Sequence, residues 1–429
     1  MSKKLIVLSV DSLFHEEIEY IRTLPNLKML FEKGSYAEGM RTIYPSLTYP
    51  AHASIITGVN PKFHGICHNE KVEVGNDHPD WYWYHKDIKV DTLIDVAKKN
   101  GLSTSVVLWP VMGGCKNVDY LMTEIWAEKP DDDPRPVFEN SSSKILMDTI
   151  FEKHRHHLRW KTQPYLDEFG ICCSEDIIKT YKPDVMFIHL AHLDHTRHAH
   201  GLHNEQVNKA LEDNDKWFGR IVQATKDAGV FEDTNFVVLG DHGHLEVNQV
   251  ICPNIIFAEN DLIKLDEEGN VISYDAYCHS ASLSSQVVLK DPTNKEVKEK
   301  VFRLLEEMQR RPELGIEQII TKEEADKKYQ VTGPFDYILE GTNGTSFHNQ
   351  CTGEVIRKPD NSDYKFSKAS HGHLPHKGAQ PAFIACGPRI KEGIVVGLHS
   401  VLDEAPTFAE ILGITMNDVQ GKAIKEIIK

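Results

Sequence analysis

Tyr44-Pro-Ser-Leu-Thr48-Tyr-Pro50-Ala-His52-Ala-Ser-Ile-Ile-Thr-Gly58 is the stretch on which the reading of this chain turns. Thr48 stands two residues before Pro50, where a loop is predicted to turn into a short helix of small residues running to Gly58. Proline suits a first helical turn because its missing N–H would have no partner there. Thr48 is therefore expected close to a helix N-terminus, where unpaired backbone N–H groups and the helix dipole favour negative charge. That field suits a hydroxyl that must become an alkoxide and attack phosphorus. Taken alone, Thr-x-Pro reads as a helix cap. What surrounds it along the chain points to chemistry instead.

Working outward, Leu5–Val10 is an apolar, β-rich run ended by Asp11, the pattern of a buried parallel strand with a polar residue at its carboxyl end. Asn26–Lys33 reads as a short helix closed by Gly34, and Val59–Asn69 as a loop carrying His64, His68 and Asn69. Asp91–Asn100 is a helix stopped by Gly101, followed by a strand over Ser103–Leu108. Ser142–Tyr181 reads as mostly helical, and Asp184–Leu190 as a strand that delivers Asp194 and His198, four residues apart. Asn204–Ala228 has one apolar face, built from Val207, Leu211, Phe218, Ile221 and Val222. Asn235–Leu239 is another β run, ending in Gly240-Asp241-His242-Gly243-His244. Pro381–Cys386 and Ala405–Leu412 supply a late strand and a closing helix. Strands and helices alternating at these lengths predict an α/β fold, a mainly parallel central sheet sandwiched by helices. From Leu245 to about Asp363 the alternation loosens, so 245–363 reads as an inserted cap subdomain and 1–244 with 364–429 as the catalytic core. Glu128–Pro136 reads as an exposed acidic turn with no function assigned.

Composition narrows the function classes. A formal net charge of −16 argues against a nucleic-acid polymer as partner, because polymer binding relies on Lys and Arg neutralising phosphates. A small phosphorylated substrate stays open, since bound divalent cations invert the local field of an acidic protein. No apolar run reaches the length of a membrane span, and Asp11 interrupts the N-terminal run too early for a signal peptide. The eight cysteines show no Cys-x-x-Cys spacing, so free thiols in a reducing cytoplasm are expected.

Asp11, Thr48, Asp194 with His198, Asp241 with His242, and His371 all fall after predicted strands or in loops. In open α/β sheets ligands bind beyond the carboxyl ends of the strands, so these residues would converge on one edge. Three Asp, three His and one hydroxyl form a natural set for two divalent ions, Zn²⁺ with Mn²⁺ as the alternative. Two such ions would clamp the attacking and leaving oxygens of an in-line phosphoryl displacement.

On these motifs the sequence resembles the type I phosphodiesterase/nucleotide pyrophosphatase family of the alkaline phosphatase superfamily. The motifs are Val-Asp11, Pro-Ser-Leu-Thr48-Tyr-Pro-Ala-His52, Pro-Lys-Phe-His64-Gly-Ile, Leu-Asp194-His-Thr-Arg-His198, Gly-Asp241-His242-Gly and Ser-His371-Gly. The resemblance implies an alkaline-phosphatase-like fold. It further implies one metal held by Asp194, His198 and His371, and a second held by Asp11, Asp241, His242 and the Thr48 oxygen. Thr48 would be the nucleophile of a covalent phospho-threonine intermediate, and Asn69 would donate to a phosphoryl oxygen. His244 stands where a Met is common, and His-Leu-Pro-His follows His371-Gly in place of the usual Tyr-Asp-Asn.

These departures put the substrate in question rather than the metals. His192, His195, His200, His203, His244 and His373 become candidates for contacts beside the ligands or with substrate. Trp81, Tyr82, Trp83 and Tyr84 would stack a base or simply pack together. The expected activity is hydrolysis of a phosphodiester or phosphoanhydride, with a small, nucleotide-like substrate and an oligomeric state left open. A phosphonoacetate-hydrolase-like enzyme would use the same metals and would need a cation for the substrate carboxylate, with Lys86, Lys116 and Arg197 as candidates. A phosphotransferase or mutase would need a cap that seals the site.

Overall fold

Alternation along Lys4–Val10 (β1) sets the two layers: Ile6, Leu8 and Val10 enter one hydrophobic cluster, and Leu5 and Val7 the other. The computed structural model describes residues 4–76, 79–126, 131–159 and 161–429. After β1 come Gly34–Ala37 (β2), Thr104–Val107 (β3), Tyr120–Met122 (β4), Val185–Leu190 (β5) and Thr234–Leu239 (β6). Residues 245–363 contain Ala276–Ser280 (β7), Ser284–Leu289 (β8), Ile316–Thr321 (β9) and Tyr337–Gly341 (β10). Phe383–Cys386 (β11) and Val395–Val396 (β12) come last.

The central sheet runs β12-β2-β11-β6-β1-β5-β3-β4. Its strands are parallel except β11, which is antiparallel to both β6 and β2. The mainly parallel α/β architecture expected from the sequence is the one observed, with helices on both faces. Thr48–Thr57 (α1), Leu93–Lys99 (α2) and, near the C-terminus, Glu404–Leu412 pack into the cluster of Leu5 and Val7. Tyr165–Tyr181 (α3) and Glu205–Asp227 cover the opposite face.

Within 245–363, the strands form a separate antiparallel sheet of order β7-β8-β10-β9. Helix Lys295–Gln309 buries Val301, Leu304, Leu305 and Met308 in the same cluster as Val287, Leu289 and Leu339 of that sheet. Two local expectations shift. Thr48 is the first residue of its helix, with Leu47 as the N-cap, and not a loop residue ahead of it. Pro50 still falls in the first turn, where its missing N–H costs nothing. The expected acidic turn begins with Glu128–Pro130, outside the described residues, and from Arg135 it is already the helix Arg135–Ser141. None of the eight cysteines forms a disulfide.

Candidate metal and phosphoryl-transfer site

Strands β6, β1 and β5 are neighbours, so the segments that leave their carboxyl ends meet at one edge of the sheet. Asp11 comes directly after β1, Asp241 and His242 after β6, and helix His192–His200 (α4) after β5. Thr48 joins them from the N-terminal end of α1. Its Oγ1 lies 3.0 Å from His242 Nε2, and that nitrogen is 3.3 Å from Asp11 Oδ1 and 3.2 Å from Asp241 Oδ2. Thr48 therefore does not cap its own helix. His52, one turn on, contacts the Thr48 carbonyl through Nδ1 at 2.8 Å and Ser9 Oγ through Nε2 at 2.8 Å. Burial holds the His52 pKa well below the ordinary value, which keeps it neutral.

Asp194 and His198 sit one turn apart on α4, with Asp194 Oδ2 3.2 Å from His198 Nε2. His198 Nδ1 lies 2.7 Å from the Ala369 carbonyl, so that nitrogen carries a proton and Nε2 is the atom turned to Asp194. His371 brings Nε2 to 3.7 Å from Asp194 Oδ1, and its ring stacks on His242 at 4.0 Å. The start of α4 is held from α3: Asp167 accepts the backbone N–H of Ala191 at 3.1 Å and of His192 at 2.8 Å.

The donor chemistry fits divalent cations. Asp11 Oδ1, Asp241 Oδ2 and His198 Nε2 are buried and have no hydrogen-bond partner among the described residues. Bonds of 2.0–2.1 Å in a tetrahedron separate neighbouring ligands by about 3.3 Å. That is the spacing of His242 to Asp11, of His242 to Asp241, and of Asp194 to His198. Electrostatics agree. Burial pushes the Asp11 and Asp241 carboxyls upward, with Asp194 adding to the first and Asp11 to the second. Burial also keeps the His242 and His371 rings neutral. Asp194 is the exception: burial would raise it, but His198 and His244 hold it well below the usual carboxylate range. Crowded carboxylates beside the neutral rings of His242 and His371 are what a bound divalent cation relieves.

A cavity of about 350 Å³ opens over this edge. Asp11, Thr48, Asn69, Asp194, His198 and His371 are among its lining residues. Tyr49 N–H donates to Asn69 Oδ1 at 2.9 Å, which fixes the amide with Nδ2 as its remaining donor. The wall is aromatic and aliphatic: Tyr49, Trp81, Trp126, Phe138, Leu158 and Tyr364, with Arg159 and Lys161 among the lining residues. No residue of 245–363 is among them; residues 124–167 supply much of the wall.

Of the expected substrate contacts, Trp81 lines the cavity and Tyr84, Lys86, Lys116, Arg197 and His244 do not. Arg197 is fully buried, paired with Glu17 and held over the Phe14 ring at 3.7 Å. Its ion pair and cation–π contact take it out of reach of a substrate carboxylate. Lys116 is exposed, and Lys86 lies over the Tyr84 ring at 5.2 Å. Among the candidate histidines, His195 lines the cavity, His200 and His203 are exposed, and His192 reaches Asp213 at 4.0 Å. His373 is buried with Nδ1 2.9 Å from the Leu374 carbonyl, and His244 is buried behind Asp194.

Other contributors carried no sequence motif. His189, on β5, bridges Asp11 Oδ2 at 3.2 Å and Glu124 Oε2 at 3.1 Å. Burial would lower its pKa, but Glu124 and Asp11 raise it well above the ordinary value. Its only signal is its place in an otherwise apolar strand, in register with Ser9 two residues before Asp11.

Residues 5–370 match the family model described as type I phosphodiesterase/nucleotide pyrophosphatase. The chain belongs to that family. Relatives within it include an uncharacterized pyrophosphatase/phosphodiesterase of Schizosaccharomyces pombe, 24% identical over 286 residues, covering 64% of this chain and 49% of that protein. Human ectonucleotide pyrophosphatase/phosphodiesterase family member 1 is 24% identical over 254 residues, covering 56% of this chain and 23% of its own length. The chain thus matches about half or less of the length of these curated relatives. In three dimensions it is similar to murine ectonucleotide pyrophosphatase/phosphodiesterase 5, with a TM-score of 0.69 at 15% identity, covering 99% of this chain and 100% of the other. Another structure of that murine protein, an inactive threonine-to-alanine variant in complex with AMP, superposes with a TM-score of 0.69 at 14% identity and covers 100% of both chains. The alkaline-phosphatase-like fold expected from the motifs is the fold observed.

Proposed function

We propose that this chain is a two-metal hydrolase that cleaves phosphodiester or phosphoanhydride bonds with Thr48 as nucleophile, acting on a nucleotide-like substrate. The observation that carries it is one donor set, Asp11, Asp241 and His242, gathered at Thr48 Oγ1, beside a second, Asp194, His198 and His371, joined to it by the stacked rings of His242 and His371 at a cavity with an aromatic wall. Asp11, Asp241, His242 and Thr48 would hold one ion, and Asp194, His198 and His371 the other. Zn²⁺ suits this mixed nitrogen and oxygen set, with Mn²⁺ as the alternative. Bound there, the two ions would lower the pKa of the Thr48 hydroxyl and offset charge on the attacking and leaving oxygens.

The chain's own groups do the rest. Thr48 Oγ1 attacks phosphorus from the N-terminal end of α1, whose dipole favours the developing negative charge. The new bond is Oγ–P, and the bond that breaks joins phosphorus to the leaving oxygen on the opposite side. Asn69 Nδ2 donates to a non-bridging phosphoryl oxygen, a contribution worth on the order of 10²–10³ in rate. Water then hydrolyses phospho-Thr48 and restores the hydroxyl. Trp81, Trp126 and Tyr364 offer flat faces for a base, and the aromatic wall suits a nucleoside better than a two-carbon phosphonate. The AMP bound to an inactive threonine-to-alanine variant of a protein of this fold supports both the nucleophile and the product class.

The test is a side-by-side assay of metal-loaded protein on a nitrophenyl nucleoside monophosphate diester, nitrophenyl phosphate and phosphonoacetate. Preference for the diester, lost in Thr48→Ala while both ions stay bound, is the expected result. Near-normal turnover by Thr48→Ala would overturn the covalent mechanism. Preference for phosphonoacetate would move the assignment to C–P hydrolysis, with Arg159 and Lys161 as the carboxylate's cations.

A further inference from the structure

We propose that His244 is a positioning residue that ties off one oxygen of Asp194, so that this carboxylate serves its metal through the other oxygen alone. The inference rests on the proposed two-metal function. His244 Nε2 lies 2.7 Å from Asp194 Oδ1, a charge-assisted hydrogen-bond length. Two ligands of one tetrahedral ion would stand about 3.3 Å apart. The Asp194 Oδ2 to His198 Nε2 separation of 3.2 Å meets that spacing, and the His244 contact is too short for it. The two oxygens of Asp194 are thus divided: Oδ2 turns to His198, and Oδ1, which stands 3.7 Å from His371 Nε2, accepts the proton of His244.

The arrangement is built in. His244 is buried, and its ring packs among those of His198 at 4.7 Å, His371 at 5.1 Å and Phe14 at 6.3 Å. Phe14 is in turn covered by the Arg197 guanidinium, which pairs with Glu17. The backbone leading into His244 has no slack, because a Cβ on Gly243 would meet the Ala379 carbonyl oxygen at 2.1 Å. Arg197 and His244, both expected as substrate contacts, therefore belong to one layer behind the ligands. A carboxylate free to chelate would take up a second coordination position. With Oδ1 engaged, that position stays open for a substrate oxygen, as a catalytic site requires. Outer partners of metal ligands set affinity by orienting them in this way.

The experiment measures metal affinity site by site, by competition with a chromophoric chelator, in the wild type, His244→Met and His244→Gln. Methionine fills the space without a proton to donate, and glutamine keeps an N–H donor. In His244→Met one ion is expected to weaken roughly 10–100-fold while the other is unchanged, with His244→Gln recovering most of the loss. The visible spectrum of the cobalt-loaded protein is expected to keep its coordination signature in His244→Gln. Equal affinity in the wild type and His244→Met would overturn the inference, as would a changed coordination spectrum in His244→Gln, which marks His244 as a direct ligand. The melting temperature of the metal-free variants separates a packing defect from a metal effect, and His244→Asn replaces any variant that fails to fold. Wild-type protein that takes up no divalent ion would overturn the two-metal reading itself.

Discussion

His189 is expected to be an energetic bridge, and a double-mutant cycle with Glu124 measures it. The imidazole is buried between two carboxylates, 3.2 Å from Asp11 and 3.1 Å from Glu124, and also lies 3.2 Å from the Leu108 carbonyl. Removing it with His189→Leu leaves two acids buried without the cation that separates them. Breaking a buried pair in this way costs about 3–5 kcal/mol in stability. Asp11 also loses the partner that orients it, so the ion proposed to be held with Thr48 is expected to bind roughly 10–100-fold more weakly. Glu124→Gln removes one charged partner and leaves the contact to Asp11, a smaller loss of about 1.5–3 kcal/mol. Combined, the two changes are expected to be non-additive: without the imidazole, neutralising Glu124 relieves repulsion, so the double variant is more stable than His189→Leu. The assay is urea unfolding together with chelator competition on all four proteins. Losses that add within roughly 0.5 kcal/mol would refute the bridge. So would unchanged metal affinity in His189→Leu.

Glu404 is fully buried, neither of its carboxylate oxygens has a hydrogen-bond partner among the described residues, and burial raises its pKa well above the ordinary value. A raised folded-state pKa gives stability that is complete below the unfolded value of about 4.3 and is lost as pH rises toward the folded value. Glu404→Gln is therefore expected to raise the melting temperature at pH 8 more than at pH 5; equal shifts at both would refute the assignment. Trp126 packs edge-on against Trp81 at 5.1 Å and Trp83 at 4.5 Å in the cavity wall. Trp126→Ala is expected to raise KM for a nucleotide diester roughly 5- to 150-fold, the range of one base–aromatic stack. An unchanged KM would place the base elsewhere.

The sheet was legible, and so was the placing of Asp11, Asp241, Asp194 and His198 at its edge, because strand-length runs precede them. Leu5–Val10 and Asn235–Leu239 are apolar runs of strand length, and a carboxylate where such a run stops lies at the carboxyl edge of the sheet. Asp194 and His198 added the one-turn spacing of a helix. The cavity wall carried no such signal. Trp126, Phe138, Leu158, Arg159 and Lys161 come from a stretch of broken helices with no sustained period, and what unites them is only the space they enclose. Charge was equally silent about partners. Arg197 reads as a free cation among loop histidines, yet its partner Glu17 lies 180 residues earlier.

Buried histidines expose the same limit from the other side. An apolar strand hides His189 because periodicity records which face a side chain enters, and not whom it meets there. His244 showed itself only as a departure from the family's usual residue, which cannot distinguish a substrate contact from a ligand's support. Distances separate the two: His244 bonds the candidate ligand Asp194 and is absent from the cavity, whereas Lys161 lines it. Two layers thus surround the candidate site, one behind the candidate metal ligands and one in the wall at 124–167. Substitutions in the first are expected to move metal affinity, and substitutions in the second to move KM. A His244 variant that shifted KM alone, or a Trp126 variant that released metal, would show that the layers are coupled through α4, the helix that carries Asp194 and whose start is tied to the wall residue Asp167.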